Sequence, residues 1–271
     1  MRRNKVKELW RDGKAIAVGW QSTADPYVTE TMARAGYGAL VLDMQHGMGI
    51  GPDRAASWLQ TVSTTETTPF VRVPWNEPVF IQTALDAGAF GVIVPLVNNA
   101  VEAAKAGGAS RYAPDGYRST GPNRARYYAG SDYVQQANGE IVCLVMIEHP
   151  DTITHLEEIA SVPSIDGFYI GPSDLAVAMG LPASSGKDDP RHQEICQKIL
   201  DVANSHGLVA GIHCGEPEEA ARRFEQGFRF CPVASDVGLV SAGSASALEM
   251  ARRAAPDLVP NLSSEAIRGG Y

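Results

Sequence analysis

A closed (β/α)8 barrel of the α/β class is the fold the sequence predicts, on three observations. Eight short apolar runs alternate with helix-like segments along the chain. Alternation of this kind implies right-handed βαβ units and a parallel sheet. Eight such units spread over about 250 residues favour a closed barrel over an open sheet. No GxGxxG follows the first run, which argues against a dinucleotide-binding sheet.

The elements follow in order. Ala15–Trp20 is the first run. Pro26–Ala35 reads as a helix, with Asp25 as N-cap, Pro26 in the first turn and Gly36 as the stop. Ala39–Asp43 is continuously apolar and ends in an acid, as expected of a strand buried on both faces. The loop Met44–Pro52 carries Gln45 and His46 among glycines, and Asp53–Ser63 is the next helix. Thr68–Val73 is the third run, bearing Arg72, and Glu77–Asp86 is helical. Phe90–Val94 is the fourth run, followed by the alanine-rich helix Asn99–Ala109. Arg111–Gly139 reads as a long irregular segment rich in Arg and Tyr, a lid or subunit contact. Ile141–Ile147 is the fifth run and Asp151–Ser161 its helix. Phe168–Ile170 is the sixth, followed by a polar stretch and the helix Arg191–His206. Val209–His213 is the seventh run and Pro217–Gln226 a helix. Arg229–Pro232 is the eighth, and Val237–Arg253 the last long helix. The whole chain, 1–271, is expected to be a single domain with a polar tail from about residue 256.

Composition narrows the function. The chain is 44% hydrophobic and 20% charged, with 23 basic against 31 acidic residues and a net charge of −8. That balance argues against nucleic acid or an acidic membrane surface as partner. No stretch of about 18 apolar residues exists, so no membrane span is expected. The basic N-terminus lacks an apolar core region and does not read as a secretory signal. Cys143, Cys196, Cys214 and Cys231 form no CxxC and read as reduced, buried thiols of a cytoplasmic protein.

Chemistry concentrates at the ends of the runs, where barrel active sites form. Glu148 ends the fifth run, and Gly171-Pro172-Ser173-Asp174 ends the sixth. Alone, Glu148 reads as a solvated loop acid and Asp174 as a helix cap. On adjacent strands the two make a cation site, leaving positions for water and substrate oxygens. Arg72 offers a bidentate fork for a carboxylate or enolate, or else a salt bridge to Asp43 or Asp86. His46, three residues after Asp43, is a candidate proton acceptor whose tautomer an aspartate can fix. His213 reads as base, ligand or pocket wall, preferably the last. His149, His155, His192 and His206 read as surface or helix positions without a task.

With these residues in hand, the chain resembles the HpcH/HpaI aldolase family, metal-dependent class II pyruvate aldolases. The resemblance lies in LVLDMQHG, FVRVPWNEP, GAFGVIVPLVNNAVEA, RYAPDGYRSTGP and MIEHPDTITHLEEIASVPSIDGFYIGPSDLAVAMG, and covers roughly 15–255. It implies a TIM barrel whose C-terminal helix is exchanged between subunits of a homo-hexamer, a trimer of dimers. It implies Mg²⁺ or Mn²⁺, with Co²⁺ or Zn²⁺ as further candidates, on Glu148 and Asp174. A small-molecule 2-oxo acid would chelate the ion, held by Arg72 and by the backbone of Gly171, Pro172 and Ser173. His46, oriented by Asp43, would be the acid–base group. Trp20 and His213 would line the aldehyde side, with Gln45 in the substrate pocket, and Asp86 would reach a neighbouring subunit's site.

Two departures refine the resemblance. Many relatives carry Glu where this chain has Gln45, and Gln where it has Met146. A thioether cannot hydrogen-bond as an amide would. MQHG with MIE looks more like the hydroxy-keto-acid aldolases, of aromatic or sugar-acid catabolism. The expected reaction is reversible cleavage of 4-hydroxy-2-oxo acids to pyruvate or hydroxypyruvate and an aldehyde. A related lyase, an oxaloacetate decarboxylase or CoA-ester lyase, is the enzymatic alternative. A barrel retained only for binding or assembly is the non-enzymatic one, against which Arg72, Glu148 and Asp174 all stand.

Overall fold

Eight parallel strands close into a barrel in the computed structural model, which describes residues 1–259. The strands are β1 Ile16–Gln21, β2 Ala39–Asp43, β3 Thr68–Arg72, β4 Gly91–Val94, β5 Val142–Ile147, β6 Gly167–Ile170, β7 Val209–Ile212 and β8 Phe230–Ser235. Each pairs with its sequence neighbour, and β8 closes on β1. The expected fold is therefore the observed one, a TIM barrel.

The continuous apolar runs have a simple cause. Alternate residues of each strand serve two different cores, so neither side tolerates a polar group. In β2, Ala39 and Val41 face the lumen while Leu40 and Leu42 face the helices. The lumen is filled by Val18, Trp20, Phe70, Ile93, Leu144, Met146, Tyr169 and Phe230. Gly91 makes room for Phe70, since a Cβ there would sit 2.1 Å from its ring.

Between the strands run α2 Pro26–Ala33, α3 Pro52–Val62, α4 Pro78–Asp86, α5 Ala100–Ser110, α8 Leu156–Ala160, α9 Pro172–Ala178, α10 Pro190–Ser205 and α11 Pro217–Gln226. Six of them open on a proline, tolerated because the N–H it removes has no intrahelical acceptor. The final helix is α12 Asp236–Ala254.

Two expectations are corrected, and one element is added. The added element is α1, Lys5–Arg11, which plugs the lower end of the lumen with Val6 and with Trp10 packed edge-on to Phe230. Asn4 anchors it, its side-chain amide donating to the Phe90 and Glu140 carbonyls and its Oδ1 accepting from the Val6 N–H. The long segment 111–139 is not irregular throughout. It holds α6 Asn123–Ala129 and α7 Tyr133–Glu140, with Arg118 buried against Tyr112 and Tyr133. The single helix expected over Asp151–Ser161 is a 3-10 turn, Pro150–Thr154, followed by α8. The polar tail lies outside the described residues from 260 onward. No helix among the described residues is long and apolar enough to cross a membrane. All four cysteines are free and buried.

Candidate active site

Parallel pairing brings the C-terminal ends of all eight strands to one mouth. Asp43 and Arg72 are register partners on β2 and β3. Their contact is bidentate: Arg72 Nε donates to Asp43 Oδ1 at 2.9 Å and Nη2 to Oδ2 at 2.5 Å. Both are buried. Burial pushes the Asp43 carboxyl up, but the Arg72 guanidinium and the backbone amides of His46 and Gln45 outweigh it and hold the value low. The Arg72 Nη1 group makes no hydrogen bond to a described residue, so one arm of the fork stays open. The guanidinium also lies 5.0 Å from the Trp20 ring centroid, a cation–π geometry.

Asp43 is linked to the His46 loop through the backbone. Asp43 Oδ1 accepts the backbone N–H groups of Gln45 and His46, at 3.0 and 3.1 Å. The aspartate thus shapes the loop that presents the exposed His46. Oδ2 of Asp43 also accepts from the Trp20 indole at 3.4 Å. Gln45 holds its Oε1 buried without a hydrogen-bond partner among the described residues.

Glu148 stands just past β5, buried at 5% exposure. Its Oε1 accepts the Leu96 N–H at 2.7 Å. Leu96 adopts a left-handed φ of 54° to deliver that amide, a conformation costly for a branched residue. Burial drives the Glu148 carboxyl up to about 7; the Leu96 N–H opposes this, Asp174 adds to it, and Arg72 opposes it. A Cβ at Gly171 would lie 2.7 Å from Glu148 Oε2 and 3.2 Å from the Met146 methyl, so a side chain there would displace the carboxylate. The Met146 methyl and the Glu148 carboxylate thus both border Gly171.

Asp174 is exposed in the first turn of α9, whose N-cap Gly171 offers no side-chain cap. The opening N–H groups of that helix, on Ser173 and Asp174, have no intrahelical acceptor. His213 follows β7, its backbone N–H bonded to the Ile170 carbonyl. Burial and then the Arg72 charge push its imidazole down to about 3. Asp86, by contrast, ends α4 at the opposite end of the barrel and accepts from Arg118 at 2.7 Å.

A divalent ion fits this donor set. Among the described residues no cluster of three or more His, Cys, Asp or Glu side chains could hold a metal. Glu148 and Asp174 instead bring two hard oxygen donors, close enough that the Asp174 charge helps to raise the Glu148 carboxyl. That composition suits Mg²⁺ or Mn²⁺, which keep water and substrate ligands, better than a zinc site with three protein ligands.

A family model for HpcH/HpaI aldolase/citrate lyase matches residues 17–242. The chain belongs to this family. It is 35% identical over 249 residues to a hydroxypyruvate/pyruvate aldolase of Rhizorhabdus wittichii, covering 92% of this chain and 99% of that one. It is 35% identical to a 5-keto-4-deoxy-D-glucarate aldolase of an Enterobacter species, covering 83% and 88%. The solved structure of an HpcH/HpaI aldolase/citrate lyase family protein from Burkholderia cenocepacia superposes with a TM-score of 0.85 at 29% identity, over 92% of this chain and 99% of that one. This HpcH/HpaI family chain is accordingly an enzyme of the aldolase, carbon–carbon lyase type.

Three residues at the site escaped sequence reading. Leu96 supplies an amide, which no side-chain pattern reveals. Tyr169 looks like any core aromatic of a strand. His192, expected as a surface or helix position without a task, lies on α10 but is fully buried, and its Nε2 donates to the Pro172 carbonyl at 2.9 Å, tying α10 to the 171–174 turn. Its spacing with Cys196, Ile199 and Ala203 on the buried face of α10 was the available signal.

Proposed function

We propose that this chain is a divalent-metal-dependent aldolase that reversibly cleaves 4-hydroxy-2-oxo acids to pyruvate or hydroxypyruvate and an aldehyde. The observation that carries the reading is the pair Glu148 and Asp174 facing a buried Arg72 with an open donor arm. Glu148 and Asp174 would hold Mg²⁺ or Mn²⁺, and the bound ion acts as a Lewis acid on the 2-oxo group.

The chain's own residues do the rest. The amides at the start of α9 bind the substrate carboxylate. His46 takes the proton of the C4 hydroxyl, the C3–C4 bond breaks, and the electron pair moves into the enolate at C3, C2 and O2. Arg72 stabilises the charge on O2 through Nη1, a fixed donor aimed where charge develops. The aldehyde departs over Trp20 and His213, and the proton that His46 took is delivered to C3, which releases the 2-oxo acid and returns His46 to its starting state. Asp43 keeps both Arg72 and the His46 loop in place. Treatment with EDTA is expected to abolish cleavage of 4-hydroxy-2-oxo acids, and Mg²⁺ or Mn²⁺ to restore it. Full activity after chelation would overturn the metal-dependent reading.

The same reading includes a homo-oligomer, a hexamer built from dimers. Beyond Asp236, α12 is exposed along nearly its whole length, with Val237, Leu239, Val240, Leu248 and Met250 among its open side chains. An apolar helix this bare asks for a covering surface, and exchange between subunits supplies one. A monomer in sedimentation velocity at micromolar concentration would refute it. Asp86 would then serve a neighbouring subunit's site.

A further inference from the structure

Tyr169, on β6, is fully buried in the lumen below the mouth. Its hydroxyl lies 3.0 Å from His213 Nδ1, and it makes no other hydrogen bond among the described residues. This fixes the direction of the bond. If Nδ1 carried the proton, the phenol oxygen would accept it and the buried O–H would have no acceptor. A buried donor left unpaired costs its full desolvation. If the phenol donates, both groups are satisfied. The neutral His213 ring therefore carries its hydrogen on Nε2.

That Nε2–H is free for use. It has no protein partner among the described residues and is not one of the buried unsatisfied atoms, so it opens to solvent. The ring cannot easily turn away. It stands edge-on to Trp20, with centroids 4.7 Å apart at 88°, and Trp20 stacks on Tyr169 at 6.0 Å and 18°. Burial and the Arg72 charge keep the ring neutral, so it donates one hydrogen bond and brings no charge.

We propose that His213 donates a hydrogen bond through Nε2–H to an oxygen on the aldehyde half of the substrate, and that Tyr169 is the positioning residue that fixes this tautomer. The proposal rests on the aldolase reading above. In that reading β3, β5 and β6 take the 2-oxo acid end. The wall made by β7 and β1, with His213 and Trp20, is left for the other half. A neutral donor selects aldehydes bearing a hydroxyl beside the carbonyl over plain alkyl aldehydes. A site built to hydrogen-bond a hydroxyl rejects the analogue lacking it.

Glycolaldehyde and acetaldehyde differ by that one hydroxyl, and the test compares them as acceptors for pyruvate with Mg²⁺ present. In His213→Phe and in Tyr169→Phe, kcat/KM for glycolaldehyde is expected to fall about fivefold more than for acetaldehyde, the size of one neutral hydrogen bond. The ¹⁵N spectrum of the wild-type His213 ring is expected to show the Nε2–H tautomer, and that of Tyr169→Phe a mixture. Equal losses on both aldehydes, or an Nδ1–H tautomer in the wild type, would overturn the proposal. Exchange of the pyruvate methyl hydrogens in D₂O, which needs no aldehyde, separates the two readings. If wild-type exchange persists while the preference is unchanged in both variants, the His213 role fails alone. If wild-type exchange is absent, the aldolase reading fails and takes this role with it.

Discussion

Arg72→Lys is expected to lower kcat/KM for aldol cleavage by roughly a hundred- to a thousandfold, the range for losing one preorganised donor to a developing oxyanion. Arg72 does two things at once. Nε and Nη2 grip Asp43, while Nη1 stays open toward the mouth. A lysine has one compact ammonium on a flexible stem and cannot span both tasks. If it satisfies Asp43, the enolate loses its donor. If it turns to substrate, a buried carboxylate is left short of its partner and the 44–46 loop loses its anchor. The loss is expected mainly in kcat, because the charge on O2 grows only toward the transition state. Thermal unfolding followed by circular dichroism separates this from misfolding. A folded variant within tenfold of wild type would show that Arg72 serves only its ion pair.

Glu148→Gln is expected to abolish detectable Mg²⁺ or Mn²⁺ binding and with it the cleavage, yet to stabilise the metal-free protein. The amide keeps an oxygen for the Leu96 N–H but drops the buried charge. The sign follows from where protons sit. The unfolded carboxyl releases its proton near the ordinary 4.5, whereas the folded one holds it to about 7. Across that window the unfolded state binds fewer protons, so the metal-free protein loses stability as pH rises from about 4.5 to 7. The full cost, on the order of 3 kcal/mol, stands above that window. Metal affinity runs the other way, rising with pH and levelling above about 7, because the ligand must be deprotonated. Urea unfolding at pH 5 and pH 8 in EDTA, paired with calorimetric metal titration, checks both. An unchanged pH dependence in Glu148→Gln, or retained metal binding, would refute the assignment.

Much of the barrel was legible because its strands are buried on two faces. Ala39–Asp43 and Ile141–Ile147 stand out as unbroken apolar stretches, each ending at a carboxylate. The α1 plug was hidden because Lys5–Arg11 is mostly charged, and only Asn4, Val6 and Trp10 tie it to the lumen. The helices α6 and α7 were hidden because each is short and its neighbourhood is rich in Gly and Tyr. A single turn or two of helix draws its stability from packing rather than from local propensity.

The sequence by itself determined the element order, the closed parallel topology and the residue types waiting at the strand ends. Local periodicity and chain length carry that information. The tertiary structure decided which partner each of those residues has. It gave Asp43 to Arg72 and to the backbone amides of the His46 loop. It buried His192 beneath the 171–174 turn and supplied Glu148 with the amide of a strained Leu96. It joined Tyr169 to His213 across 44 residues of chain. Such pairings depend on distances between elements far apart in sequence, set by barrel closure and register. No pattern along the chain encodes them.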